Sequence, residues 1–217
     1  MRRCPNGTPC TPFAAVLSCC ILLWSARHAD ADRVVLSPDG NTLPANALYG
    51  EFEISPYRSD GNLAWLQYSL PQGIEIEVQR ADLLPDPRAL YSLNVQYPLF
   101  PDIGNYPALS LGVRDLLGTG YEHRSFYFAS TKAFALSDRQ MRVLRDIRLS
   151  AGFGTERIDG LFIGVQARLT LGMSLSAEIY RQRPNISIGL PVARNLQVRA
   201  TSLDGTVFYG LSFTARH

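Results

Sequence analysis

Apolar and polar residues alternate along most of this chain, and they do so most regularly between residues 147 and 214. Ile147, Leu149, Ala151 and Phe153 stand against Arg148, Ser150, Gly152 and Gly154. Leu161, Ile163, Val165, Ala167 and Leu169 stand against Phe162, Gly164, Gln166, Arg168 and Thr170. The same beat continues through Met173–Ile179, Ile186–Leu190, Leu196–Ala200 and Val207–Phe213. Side chains on a strand point to opposite faces with period two, so each segment carries one oily and one wet face. The first half alternates as well, over 48–54, 62–70, 74–80, 90–99, 108–115 and 124–135. Turn chemistry separates the segments: Ser-Asp-Gly at 59–61, Pro-Gln-Gly at 71–73, Leu-Gly at 171–172, Arg-Pro-Asn at 183–185 and Asp-Gly at 204–205. The expected fold is all-β: an up-and-down antiparallel transmembrane β-barrel of about twelve strands, ten being the alternative count, since closing such a sheet removes its edges. The stretch from Ser137 to Leu144 reads as a polar connection with one turn of helix, and no other helix is expected.

The start has the grammar of an export signal. Arg2 and Arg3 give a positive beginning, residues 13–24 an apolar stretch, and Ala29-Asp30-Ala31 a small-residue cleavage site. The expected organisation is a signal peptide over 1–31, an arm over 32–47 and one barrel domain over 48–217. Val16-Leu17-Ser18-Cys19 also resembles a lipoprotein cleavage box, which would make Cys19 a lipidation site; the apolar run continues past it, which favours the simple signal. All four cysteines lie within the first 31 residues, so no disulfide is expected in the exported chain. Cleavage removes three of the 21 basic residues and one of the 19 acidic ones, leaving 18 of each. A chain this near neutrality has no global field to attract nucleic acid.

Two environments produce such alternation. A soluble sheet hides its oily face and shows the polar one to water; a membrane barrel does the reverse. The polar faces here are rich in Gly and Ser, as at Gly112, Gly152, Gly154, Gly164, Gly189 and Gly210, which suits a crowded interior better than a solvated surface. Mid-strand charges fall on the polar parity: Glu51, Glu53, Glu75, Glu77, Arg114, Arg148, Arg168, Glu178 and Arg199. Lipid enforces that segregation, because a basic group at mid-bilayer costs roughly 2–4 kcal/mol. Arg80 and Lys132 are the exceptions, near strand ends where their heads can reach headgroups. Tyr49, Trp65, Tyr91, Tyr97, Phe100, Tyr180, Phe208 and Phe213 fall near strand ends, as interfacial girdles require. The nine inward charges are expected to form a lumen network, early strands supplying acids and later ones arginines. Such a network either fills and rigidifies the barrel or lines a polar conduit.

Longer motifs add a resemblance. Residues 107–115 read Pro-Ala-Leu-Ser-Leu-Gly-Val-Arg-Asp, 116–120 read Leu-Leu-Gly-Thr-Gly, and 127–134 read Tyr-Phe-Ala-Ser-Thr-Lys-Ala-Phe. Ser-Ala-Gly-Phe-Gly follows at 150–154, then Ala177-Glu178-x-Tyr180, Ala-Arg-Asn-Leu-Gln-Val-Arg at 193–199 and Phe-Tyr-Gly-Leu-Ser-Phe at 208–213. With Asn-Thr-Leu-Pro-Ala at 41–45, this resembles the YjbH-type family of outer-membrane proteins, which is associated with exopolysaccharide biosynthesis operons. The likeness covers most of the exported chain and is looser over 48–106. It implies a non-enzymatic barrel in the outer membrane of a Gram-negative bacterium, accessory or structural to exopolysaccharide secretion or envelope assembly. Outer-membrane lipid is the implied partner, with polysaccharide or polysaccharide-export proteins beside it. Physically, Asp115, Gly118, Thr119 and Gly120 read as an outer-rim turn, with Asp115 capping it or meeting an arginine.

Catalytic and metal signals are thin. His123 and Ser125 would share a strand face, and outer-membrane phospholipase A uses a similar His-x-Ser; Phe126-Tyr127 replaces that family's following Asn-Gly. A lipid hydrolase is therefore a remote alternative. His28, His123 and His217 show no ligand spacing, and no cofactor is implied. A soluble periplasmic β-sandwich or barrel that binds a ligand or partner inside is the principal alternative.

Overall fold

A computed structural model describes residues 33–57, 61–82, 90–120, 123–136 and 143–216. Residues 1–32, which include the expected signal peptide and Cys19, and most of the 137–144 connection lie outside the described residues. Twelve strands form a closed antiparallel barrel: β1 (Ala47–Ile54), β2 (Asn62–Ser69), β3 (Glu75–Asp82), β4 (Leu90–Phe100), β5 (Ala108–Arg114), β6 (Ser125–Ala135), β7 (Leu144–Gly154), β8 (Gly160–Leu169), β9 (Ser174–Tyr180), β10 (Arg183–Ala193), β11 (Leu196–Leu203) and β12 (Thr206–Arg216). Neighbours in sequence are neighbours in the wall, and β1 closes on β12 from Ala47 opposite Arg216 to Ile54 opposite Tyr209. The sole helix among the described residues is a single 3₁₀ turn, Glu156–Ile158.

The faces sort as lipid would have them. Phe52, Leu66, Val78, Phe126, Leu149, Ile163 and Leu211 are exposed on the outside. Gln67, Asn94, Gln96, Ser110, Thr131, Ser150 and Ser187 are buried on the inside. The buried centre of the molecule is therefore predominantly polar, with apolar clusters about Phe162 and Trp65. Connections following the odd-numbered strands lie at one rim; the start of β1 and the end of β12 lie at the other.

Three sequence expectations change. Arg-Pro-Asn at 183–185 is not the β9–β10 turn: Tyr180 pairs with Arg183, and the turn is Arg181-Gln182, with φ of 55° and 61°. Two left-handed residues match the strand twist, so a two-residue hairpin forms without glycine, and Pro184 pairs with Ile179 inside the strand. Four of the expected girdle aromatics, Tyr49, Trp65, Tyr180 and Phe208, are buried inside, because each shares the parity of its strand's inward residues. Tyr91, Tyr97, Phe100 and Phe213 are exposed, as girdle positions require. Strand ends also move by a residue or two: β1 gains Ala47, β3 runs from Glu75 to Asp82, and His123 and Arg124 precede β6.

Candidate functional site: a lumen occupied by the arm

The arm preceding β1 lies within the barrel. Residues 34–37 turn back on themselves, Val34 N–H donating to the Ser37 carbonyl at 3.1 Å, and Arg33 bridges to Pro38. Asp39 accepts from the Asn41 N–H at 2.8 Å, a local turn of the kind short acidic side chains favour. Ala47 N–H then returns to the Pro44 carbonyl at 3.0 Å, and Asn46, at φ 61°, leads into β1. The apolar residues of the arm explain its retreat from water: Val34, Val35 and Leu43 are all buried. Leu36 packs against inward Tyr127, Ile158, Phe162 and Tyr180 on one side and Leu63, Trp65, Ala81 and Phe208 on the other.

Wall side chains hold the arm through its backbone and its one arginine. Arg33 donates to Glu51 at 2.8 Å and Glu77 at 2.9 Å, with its guanidinium 4.0 Å from the Trp65 ring centre. Glu178 accepts from the N–H groups of Val35, Leu36 and Ser37 at 3.0, 2.9 and 2.9 Å, and from the Ser37 hydroxyl at 2.7 Å. Glu75 accepts from the Leu43 N–H and, at 3.0 Å, from Gln67. In the other direction, Gln96 donates to the carbonyls of Asp39 and Asn41, Arg114 to that of Leu36, and Gln166 to that of Arg33. Gly40 shows how close the approach is: a Cβ there would lie 2.6 Å from the Thr131 nitrogen and 2.7 Å from the Ala108 carbonyl oxygen.

All nine charged residues expected in the lumen sit at inward positions, and they divide between two tasks. Glu51, Glu75, Glu77, Glu178 and Arg114 grip the arm as just described. The remainder link wall to wall: Arg199 reaches Glu51 at 3.2 Å, the Tyr49 hydroxyl at 3.0 Å and Ser187 at 2.8 Å, tying β11 to β1 across the closure. Glu53 accepts from Thr201 at 2.6 Å. Arg168 and Arg148 approach Asp146 at 3.6 and 4.0 Å. Arg33 and Asp146 were absent from the sequence-derived set. Arg33 stood in the arm rather than in an alternating segment, and Asp146 lay at the edge of one; the run Val34-Val35-Leu36 was the available hint that the arm is buried. Among the described residues, the space left beside Arg33, Gln166, Arg168 and Arg199 is about 40 Å³, and that beside Glu75, Glu77 and Arg114 about 10 Å³. These volumes suit single waters, not a sugar ring.

At the rim, the Asp115 carboxylate accepts from the Thr119 N–H at 3.0 Å and the Gly120 N–H at 2.8 Å, so it caps the turn. Gly118 has φ 70°, as the turn requires, and Thr119 reaches the Tyr91 carbonyl at 3.0 Å. Asp115 is fully buried, while Leu116, Leu117, Gly118 and Thr119 of the turn are exposed. The His123/Ser125 arrangement differs from the expected one. His123, at φ 50°, is not yet on the strand, is exposed and faces the Arg157 guanidinium at 3.4 Å; Ser125 is buried and accepts from the Arg157 backbone N–H. Among the described residues, no group of three His, Cys, Asp or Glu side chains is placed to hold a metal.

No family model matches the sequence, and no curated protein matches it. Solved structures do resemble it. The KdgM porin aligns over 79% of this chain and 99% of its own, at 13% identity and a TM-score of 0.54. The KdgM porin in complex with disordered oligogalacturonate aligns over the same shares, at 12% identity and a TM-score of 0.54. The outer membrane protein Omp33 of Acinetobacter baumannii covers 79% of this chain, at 10% identity and a TM-score of 0.46. At such identities the likeness is one of fold: a twelve-stranded barrel of the outer-membrane porin type.

Proposed function

We propose that this protein is a non-enzymatic β-barrel of the outer membrane, accessory or structural to exopolysaccharide secretion or envelope assembly, with a lumen occupied in its resting form by its own arm. One observation carries the membrane reading: the exposed outer face is apolar around the ring while the buried centre is ionic and hydrogen-bonded. In water such an outer face would aggregate; in lipid it is the stable arrangement, with every strand paired on both sides. Barrels of the porin type supply the precedent in fold. The YjbH-type motifs support the link to exopolysaccharide, and the sugar oligomer bound by KdgM supports a role near carbohydrate. The lumen itself argues for an accessory role rather than a conduit for acidic sugar. Six buried or half-buried acids, Glu51, Glu53, Glu75, Glu77, Asp146 and Glu178, outnumber four such arginines, Arg114, Arg148, Arg168 and Arg199, on the inward face of the described strands. Arg183 and Arg216 share that parity but are exposed at the strand ends, and the balance between the rims disfavours polyanions.

Fractionation and gel migration test the location: the protein should sediment with outer membranes and migrate differently before and after heating. A protein that stays dissolved and monomeric without detergent would overturn the reading. For the exopolysaccharide role, deleting the gene should lower secreted polysaccharide, with recovery on complementation. Unchanged secretion would remove that part and leave the barrel.

A further inference from the structure

The wall does not need the arm in order to be a wall. Every one of the twelve strands already has two hydrogen-bonded neighbours, and the recorded bridge of the arm, Arg33 with Pro38, is internal to it. What holds residues 33–43 is the burial of Val34, Val35 and Leu43, a set of side-chain grips on backbone groups, and one guanidinium between two carboxylates. Four of the six inward acids take part: Glu51 and Glu77 through Arg33, Glu178 through three N–H groups and a hydroxyl, Glu75 through Leu43. We infer that residues 33–43 are a displaceable plug, and that its withdrawal opens a conduit that prefers cations.

The preference follows from what the plug leaves behind. Arg33 departs, whereas Arg199 stays on Glu51, and Arg148 and Arg168 stay beside Asp146. Between its rims the opened lumen then presents more acids than arginines, and the carboxylates of β3 and β9 turn from the arm to the ions in transit. A narrow passage with low-dielectric walls focuses such a field and concentrates counter-ions. The size of the opening also fits, since a twelve-stranded ring is wider than the eight-stranded barrels that side chains alone can fill. Gly164 offers a way to dislodge the plug from the wall side: a Cβ on it would sit 2.7–2.8 Å from the two methyl carbons of Val34.

The inference rests on the membrane-barrel reading, and the experiment separates the two. Protein purified from outer membranes is placed in planar bilayers under a potassium chloride gradient, as wild type, Arg33→Ala, Gly164→Val and a chain lacking residues 33–43. Heat-shifted migration is recorded for each. The wild type should be mostly closed, the two point variants should open far more often, and the deletion should stay open with potassium permeability severalfold above chloride. Adding Glu77→Gln and Glu178→Gln to the deletion should reduce that preference. A heat-shifted deletion that stays silent or favours chloride overturns the plug, as does a wild type that conducts as freely as the deletion. If the deletion forms no barrel, the point variants decide, and unchanged opening in both refutes the inference. A wild type without a heat shift refutes the barrel reading instead.

Discussion

Replacing Glu178 by glutamine changes one atom in the tightest grip on the arm. The carboxylate is buried, with one oxygen taking the Val35 and Ser37 N–H groups and the Ser37 hydroxyl, and the other taking the Leu36 N–H and Asn185 Nδ2. An amide keeps one acceptor and turns the other into a donor. In the better orientation the oxygen keeps the Val35 and Ser37 donors, and the amide nitrogen is set against the Leu36 N–H. The arm then loses one bond to an ionised group, and the remaining bonds lose their charge assistance. Bonds to charged groups contribute about 1.5–3 kcal/mol each and neutral ones about 1, so losing one such bond and the charge assistance of three others should weaken the docking of the arm by about 3 kcal/mol or more. That is a hundredfold or greater increase, on the order of 1.4 kcal/mol per factor of ten, in the population with the arm undocked.

Amide hydrogen exchange reads that population directly, because local opening exposes only the amides it frees. In Glu178→Gln, the amides of Val35, Leu36 and Ser37 should exchange faster by about that factor, while those in the middle of β7 and β8 keep their protection. Asp115→Asn is the control: its carboxylate accepts from the Thr119 and Gly120 amides at the rim, so arm exchange should not change. If β7 and β8 lose protection together with the arm, arm and wall unfold as one unit, and the separable-plug argument fails. Unchanged arm exchange would mean that Glu178 contributes nothing to docking.

Val165→Arg, at an outward position midway along β8, should cost roughly 2–4 kcal/mol in unfolding from lipid vesicles, whereas Val165→Leu should be nearly neutral. Asp115→Asn tolerates the left-handed backbone but loses one of two acceptors for the Thr119 and Gly120 amides. Faster exchange at those two amides, by an amount corresponding to about 1–3 kcal/mol, is the expected outcome, with migration of the heated and unheated barrel unchanged. Lys132 faces outward and binds Asp102 together with the Gly104 carbonyl at 2.6 Å; Lys132→Met should leave barrel stability within about 1 kcal/mol yet make the 101–107 connection more sensitive to protease.

The wall was legible in the sequence because a single geometric rule, period two, assigns every strand residue to a face. The direction of those faces was legible because charges such as Glu51, Glu53, Arg148 and Arg168 kept to one parity. Parity also outweighs residue type. Tyr49, Trp65, Tyr180 and Phe208 look like interfacial aromatics, yet they share the parity of Glu51, Gln67, Glu178 and Ser212 and point inward with them. The Arg181-Gln182 turn carried no glycine or asparagine to announce it, and Pro184 drew attention two residues downstream. The destination of the arm was not legible for a deeper reason. Its partners are reached across 142 positions from Leu36 to Glu178 and 78 from Leu36 to Arg114, and the donors it offers are mostly backbone N–H groups, which every residue but proline possesses.

A ring of twelve strands with a polar interior has a problem that a smaller or a soluble barrel does not share. Its inward side chains are too far apart to fill the centre, and its acids crowd one another where water is scarce. Buried carboxylates are costly without donors and counter-charges. The arm brings both: a guanidinium for Glu51 and Glu77, and N–H groups for Glu75 and Glu178. It acts as the core of the barrel as much as its stopper. The same carboxylates thus anchor the arm and set the charge of the passage beneath it. Any substitution that weakens the grip by neutralising an acid should also weaken cation preference once the passage opens, whereas Gly164→Val, which pushes only on Val34, should change opening without changing preference. That separation of opening from selectivity distinguishes a plug from a wall that breathes as a whole.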